Sequence, residues 1–432
     1  MQKMIVLLWM VGVMVGGASA ADLTEKEILA GIDVRIENHR MGEADLKLLG
    51  ADGRPVTNGK VLIEQTRHQF LFGCNIFKLN RCETEEENSA YEEYFSELFN
   101  FATLPFYWWR YKDVHGVPAD VRTQRIVDWC RERDIATKGH PLAWNYRDPA
   151  WLPDDPKLAR QEQMARIKRC MTKFKDDIEI WDVVNEATHY DRPEVEEQAP
   201  VMTRAISEIG VGKYLRRAFR VAREADPGAT LVINDYRVDS EYENRVLAEL
   251  VNERGEPLYA VIGIQSHMHG GYWGAEKAWE VCERYAKYGV PLHFTEVTII
   301  SGPKTDEGWN TTPKREELQA RQALEFYRVL FSHPAVEAIT WWDFSDQDAW
   351  KRAPAGFLRK DMTPKPIYEE LKKMIKRKWW TKTTARSDGE GTVAFRGFYG
   401  DYKLTVEVDG KELEGVFHID KSSDKTIAVN VK

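Results

Sequence analysis

Between about residues 70 and 378, short apolar runs alternate with longer amphipathic stretches eight times. The runs are FLFGCNI, FNFATLPF, ATKGHPLAW, IEIWDVVNE, TLVIND, AVIGIQSH, PLHFTEV and AITWWDF. Each is nearly continuous in apolar residues, the pattern of a parallel strand buried on both faces. Stretches such as DVRTQRIVDWCRERD, KYLRRAFRVAREADP, EKAWEVCERYAKYG and REELQARQALEFYRVLFSHP place apolar residues at three- and four-residue steps. Lys, Arg and Glu fill their other face, so they predict amphipathic helices. Asp-Pro-Gly at 226–228 and Tyr-Gly at 288–289 punctuate helix ends. Eight βα units with no GxGxxG turn after the first strand predict a closed (β/α)8 TIM barrel, an α/β fold, rather than an open doubly wound sheet.

The flanks have a different period. Residues 30–69 alternate polar and apolar positions around Asp52-Gly53 and Asn58-Gly59, a hairpin pattern. Residues 381–432 do the same around Asp388-Gly389, Gly400-Asp401 and Asp409-Gly410. Neither segment is large enough for a core of its own. Together they predict one small accessory β-sandwich beside the barrel. The expected organisation is a signal peptide at 1–20, an N-terminal β segment at 21–69, the barrel at 70–378 and a C-terminal β segment at 379–432.

Composition narrows the class. With 43% hydrophobic and 30% charged residues the chain reads as globular, and its net charge of −8 lacks the basic footprint of a nucleic-acid partner. Lys3, an apolar stretch and Ala18-Ser19-Ala20 read as a cleavable signal peptide, since the run is shorter than the roughly 20 residues that span a bilayer. A secreted or periplasmic monomer, with no membrane partner after cleavage, is the expectation. The five cysteines are odd in number and scattered; a Cys74–Cys82 bridge is one reading, buried small hydrophobes the other. No cofactor is expected, and no metal. His267 and His269 are read as pointing to opposite faces, with no acidic partner to complete a ligand set.

In such a barrel the chemistry sits at the C-terminal ends of the strands. The third run carries His140 and Trp144, the fourth ends in Asn185-Glu186, the sixth holds Gln265 and His267. The seventh ends in Glu296 and the eighth in Trp341, Trp342 and Asp343. Glu186 follows IWDVVN and Glu296 follows PLHFT, so both leave the interior at its rim, where an idle charge would be costly. Two carboxyls converging from different strands suit glycosidic cleavage: one protonates the leaving oxygen, the other attacks the oxocarbenium-like centre. The flat faces of 15 Trp suit sugar stacking or core filling, and composition does not separate the two.

The series GHPLAW (139–144), WDVVNEA (181–187), INDY (233–236), GIQSHMH (263–269), FTEV (294–297) and ITWWDFSDQDAW (339–350) resembles glycoside hydrolase family ten, the β-1,4-xylanase family. The resemblance covers about 300 residues. It implies a retaining endo-β-1,4-xylanase with Glu186 as acid/base and Glu296 as nucleophile, acting on a polysaccharide without a cofactor. Asn185 would bond the sugar 2-hydroxyl, and His140, Trp144 and Tyr236 match substrate-binding positions. Gln265 and His267 match the pair that positions the nucleophile, while Trp342 and Trp350 match aromatic residues that cap and stack on the sugar. Trp341 alternates with Trp342 and is expected in the core.

Two departures stand out. The family ends its second strand with a polar Glu-Asn…Lys cluster; here residues 103–110 read TLPFYWWR, so the non-reducing-side subsites should be more aromatic and less hydrogen-bonding. Buried sugar hydroxyls left without partners redirect substrate choice. The usual Thr-Glu-Leu-Asp is Thr295-Glu296-Val297-Thr298, so His267 lacks an anionic partner and a shifted pH profile is expected. A decorated xylan, another β-glycan, an aryl glycoside and a non-catalytic carbohydrate-binding barrel are the alternative readings.

Overall fold

The eight apolar runs all form strands in the computed structural model, which describes residues 23–111, 119–306 and 308–432. Strands one to eight of the barrel are Leu71–Asn75, Phe101–Pro105, Ala136–His140, Ile180–Asn185, Thr230–Asp235, Val261–Ile264, Leu292–Ile299 and Val336–Trp341. Each pairs in parallel with the next. Strand eight returns to strand one with Ala338 opposite Leu71 and Trp341 opposite Cys74, which closes the barrel. The helices between them include Glu85–Leu98, Ala119–Arg131, Pro156–Lys173, Val211–Ala225, Gly274–Ala286 and Pro313–Ser332. Thr84, Asp155 and Thr312 cap three of these helices at their N-termini, with Pro at the start of two.

The barrel interior is layered at the two-residue step of its strands. Phe101, Ile180, Val232, Val261 and Ala338 plug the N-terminal end. Two residues further on, the inward positions turn polar: Thr103, Lys138, Asp182, Asn234, His293 and Thr340 are all buried. A dry plug below and a polar layer above direct the chemistry to the C-terminal mouth. Gly139, just before His140, lies so close to the Trp181 ring that any Cβ would collide with it.

The two flanks combine into two sheets over one apolar core. Met41–Leu49 lies between Thr392–Phe398, antiparallel, and Thr426–Asn430, parallel. Lys60–His68 lies between Lys382–Arg386 and Gly400–Val408, and the latter pairs with Lys411–Ile419. Leu46, Ile63, Leu404 and Val406 are fully buried between the sheets, each adding about 1.5–3 kcal/mol relative to exposure.

The hairpin expectation for residues 30–69 is corrected in two ways. Glu25–Ala30 and Ile32–Arg40 are helices, and the strands that follow enter different sheets instead of pairing with one another. Asp409-Gly410 is a true hairpin turn, with φ of 51° and 72° as a type I′ turn requires. Gly400, at φ 146°, is instead where the chain crosses from one sheet to the other. The buried Arg40 ties this unit to the barrel by donating to the carbonyls of Phe331, His333 and Val336. All five cysteines are free, so Cys74 and Cys82 are not bridged. No helix among the described residues is long and apolar enough to cross a membrane. The expected signal peptide lies outside the described residues.

Candidate active site

The C-terminal mouth opens into a cleft of about 770 Å³ that contains Glu186 and Glu296. Glu186 sits immediately after strand four in a left-handed backbone conformation, φ 55° and ψ 41°. A non-glycine residue held there is strained, and such strain persists where the surroundings over-determine it, commonly at functional sites. Its amide donates to the Asn234 carbonyl at 2.9 Å, which fixes the turn. Glu296 lies within strand seven and is 3% exposed, so it needs partners for its charge.

Those partners surround it. His267 Nε2 lies 3.0 Å from Glu296 Oε2, and Asn234 Nδ2 donates to Oε1 at 2.8 Å. His140 Nε2 lies 3.9 Å from the same Oε1. Burial alone would raise the Glu296 carboxyl, but His140, His267 and Lys138 overcome it and hold it below the usual carboxylate range. Glu296 is thereby kept ionised.

One hydrogen-bond chain joins the two carboxyls. Thr295 Oγ1 donates to Asn234 Oδ1 at 2.6 Å, which orients the Asn234 amide so that its Nδ2 serves both Glu296 and Asn185 Oδ1, each at 2.8 Å. Gln265 Nε2 donates to Asn185 Oδ1 at 3.2 Å and to Glu186 Oε1 at 3.1 Å. With its oxygen doubly engaged, Asn185 has its amide hydrogens left for a ligand. Gly263 makes room for this: a Cβ there would come within 2.5 Å of Asn234 Oδ1. The expected role of Gln265 beside the nucleophile is corrected, because its side chain serves Glu186. Asn234 takes the place beside Glu296.

His267 lies between Glu296 and Thr298. Nδ1 lies 2.9 Å from Thr298 Oγ1 while Nε2 faces Glu296. A threonine hydroxyl can donate to Nδ1, leaving the proton of a neutral imidazole on Nε2, where it bonds the carboxylate. The predicted divergence of His267 and His269 fails: their ring centroids are 5.8 Å apart and both lie against Trp350. Residues two apart on an extended segment share a face. No group of three or more His, Cys, Asp or Glu among the described residues is placed to hold a metal.

Aromatic side chains build the walls. Trp342 stands edge-on to His140 and His267, with centroids at 5.4 and 5.7 Å. Trp350 is 41% exposed at the rim, packed at 4.5 Å on His267. Trp341 points away, fully buried, with its Nε1 donating to Ala355 O. Trp144 stacks on Tyr146 at 4.5 Å and meets Trp109 at 5.6 Å, and Tyr107 joins Trp109 to His140. The sequence TLPFYWWR therefore does set an aromatic wall where a polar cluster was missing, through Tyr107 and Trp109. Trp108 turns out of the cleft against Trp151. Tyr236 lines the cleft with its hydroxyl 2.7 Å from His189 Nδ1.

Several contributors were not singled out from the sequence. Lys138 Nζ pairs with Asp182 Oδ2 at 2.9 Å, and the same oxygen takes His140 Nδ1 at 2.7 Å. Burial raises the Asp182 carboxyl, but Lys138 and His140 reverse that and hold it low. A Lys and an Asp inside otherwise apolar strands were the available signal, since buried charges come in pairs. Asp343 accepts from Trp350 N at 3.0 Å with one oxygen and has no partner for the other among the described residues; burial pushes its carboxyl up to about 7. Arg192 donates to Glu186 Oε2 at 2.7 Å.

A model of glycosyl hydrolase family 10 matches residues 80–374, more than half of the chain. Anti-sigma-I factor RsgI6 of Acetivibrio thermocellus is 25% identical over 382 residues, 87% of this chain and 46% of that protein. Endo-1,4-beta-xylanase B of Paenibacillus barcinonensis is 30% identical over 241 residues, 52% of this chain and 70% of that one. The chain spans less than half the length of the first of these, and 38% of endo-1,4-beta-xylanase A of Caldicellulosiruptor sp.. Xylanase 10B of Thermotoga petrophila RKU-1, solved with xylobiose, superposes with a TM-score of 0.58 at 24% identity, over 72% of this chain and 95% of its own. That structural likeness carries the barrel fold.

Proposed function

The chain belongs to glycosyl hydrolase family 10, and from that premise we propose that it is a retaining endo-β-1,4-xylanase in which Glu186 is the acid/base and Glu296 the nucleophile. The observation that carries the reading is the hydrogen-bond chain Glu296–Asn234–Asn185–Gln265–Glu186, which couples carboxyls from two strands across one cleft.

In the first step Glu296 Oε attacks the anomeric carbon as the glycosidic C–O bond breaks, and the proton on Glu186 passes to the departing oxygen. In the second, Glu186 takes a proton from water, whose oxygen displaces Glu296 and restores the β configuration. The two carboxyls differ in their surroundings. Glu296 is buried among His267, His140 and Asn234, all of which favour its anion. Glu186 lies nearer the rim, among groups that can exchange with a ligand. The amide of Asn185 is oriented for the sugar 2-hydroxyl, Trp342 for the face of the sugar at the cleavage point, and Trp350, Trp144 and Tyr236 for its neighbours.

Export to a periplasm or the medium follows from the leader-like residues 1–20, and a monomer suffices because one chain supplies both carboxyls. The aromatic end of strand two leaves a substituted xylan, another β-glycan or an aryl glycoside as the alternative substrates to plain xylan. It equally supports a second reading, a carbohydrate-binding barrel without turnover. Hydrolysis of linear xylan, glucuronoarabinoxylan and β-glucan by the wild type and by Glu296→Ala separates these. Xylo-oligosaccharides from the wild type and almost none from the variant fit the proposal. Cleavage of β-glucan alone would move the substrate while keeping the carboxyl pair; no cleavage at all would favour the binding reading.

A further inference from the structure

Glu186 receives a donor on each oxygen: Gln265 Nε2 on Oε1 and the Arg192 guanidinium on Oε2. The Gln265 bond is neutral and compatible with either protonation state. The Arg192 contact is a charge-assisted bond at 2.7 Å between side chains only 23% and 11% exposed. An ion pair and a proton at the same oxygen exclude each other. The resting arrangement therefore suits Glu186 as the base of the second step, and the first step requires Arg192 to let go.

Arg192 is built to move between partners without leaving the cleft. It ends the short segment after Glu186, where Pro193 starts the next helix. Its guanidinium lies over the Tyr236 ring at 5.5 Å, and Tyr236 is fixed through His189 Nδ1, whose Nε2 is 2.9 Å from Glu241. This aromatic support holds the cation beside Glu186 whichever anion it faces. Lys78, Arg81, Arg110, Arg192 and Lys351 line the cleft together with Glu186, Glu296, Asp343 and Asp348, and Lys78 is already paired with Asp348 at 2.9 Å. The lining is thus mixed in sign, and the cation that could meet an acidic ligand beside Glu186 is Arg192 itself.

Resting on the function proposed above, we infer that Arg192 is a specificity-determining residue that recognises a carboxylate on the leaving-group side of the substrate, a uronic acid substituent of the polysaccharide. The substrate carboxylate takes the guanidinium from Glu186. Glu186 Oε2 then accepts a proton from solvent and delivers it to the glycosidic oxygen. A neutral substrate must break the same ion pair without offering a replacement, so it reacts more slowly at equal occupancy of the cleft.

The test compares a xylo-oligosaccharide bearing one glucuronic acid with the same oligosaccharide after reduction of that carboxyl to the alcohol. For the wild type, kcat/KM for the acidic form should exceed the reduced form about tenfold, with part of the gain in kcat. In Arg192→Met the ratio should fall to near one, and Arg192→Lys, which keeps the charge but not the fork, should retain part of it. A wild-type ratio near one, or a ratio that survives in Arg192→Met, overturns the inference. Binding of both oligosaccharides to Glu296→Ala by calorimetry gives an independent reading. If the wild type cleaves neither form, the proposed activity fails, yet a binding preference for the acidic form that vanishes in Glu296→Ala/Arg192→Met still supports the carboxylate site. Equal binding of the two forms overturns it.

Discussion

Lys138→Met removes the cation from a fully buried pair and leaves Asp182, at 0% exposure, bonded to His140. Breaking a buried pair from one side costs about 3–5 kcal/mol, because the remaining charge is desolvated and unpaired. In the wild type Asp182 is held below its ordinary value, so its ionised form adds stability above the unfolded carboxylate range, lost only as pH falls through the folded value. Without Lys138, burial dominates and the carboxyl shifts upward, so stability is lost as pH rises. The deficit of the variant should therefore be larger at pH 8 than at pH 5. Urea unfolding of both proteins at the two pH values measures it. The double variant Lys138→Met/Asp182→Asn removes the stranded charge while keeping an acceptor for His140, and should recover much of the loss at pH 8. A deficit under about 1 kcal/mol at pH 8, or one independent of pH, would refute this account of the polar layer.

Three further outcomes are expected. Asp343 is raised from 3.8 to about 7 by burial, so its contribution to stability is present below pH 4 and lost as pH rises towards 7; Asp343→Asn should gain on the wild type by about 2–3 kcal/mol between pH 5 and pH 8, read from unfolding curves. Asn234→Ala removes a donor from Glu296 and the link to Asn185, and should lower kcat on xylan about a hundredfold with little change in KM. Thr298→Asp sets an anion against His267 Nδ1 and should displace a limb of the pH–kcat/KM profile; unchanged limbs would remove Thr298 from the explanation.

The barrel was legible because parallel strands buried on both faces leave nearly unbroken apolar runs, and all eight did so. Glu186 and Glu296 were legible as charges ending such runs. What escaped depends on side-chain direction. Gln265 and His267 flank Ser266, whose φ of 55° bends the chain there, and the pattern alone did not say that one would serve Glu186 and the other Glu296. Asn234 reaches Glu296 only because residue 263 on the neighbouring strand lacks a side chain. Arg192 stands in a polar loop sequence and looks like any solvated arginine until its partner is known. In the flank, Ile28, Ile32 and Ile36 repeat every four residues and are all buried, a helical signal that the alternation further along obscured. Sheet partners such as Leu46 and Val393 lie hundreds of residues apart, beyond the reach of any local hairpin pattern.

The most direct test of the central assignment is azide rescue of the two carboxyl variants with an aryl β-xylobioside, reading the anomeric configuration of the product by NMR. If Glu296 is the nucleophile, Glu296→Ala is nearly inert in water and, with azide filling the space, gives the α-glycosyl azide by a single displacement. Glu186→Ala, which still forms the covalent intermediate, gives the β-azide. A β-azide from Glu296→Ala, or turnover of that variant at the wild-type rate without azide, would contradict the account.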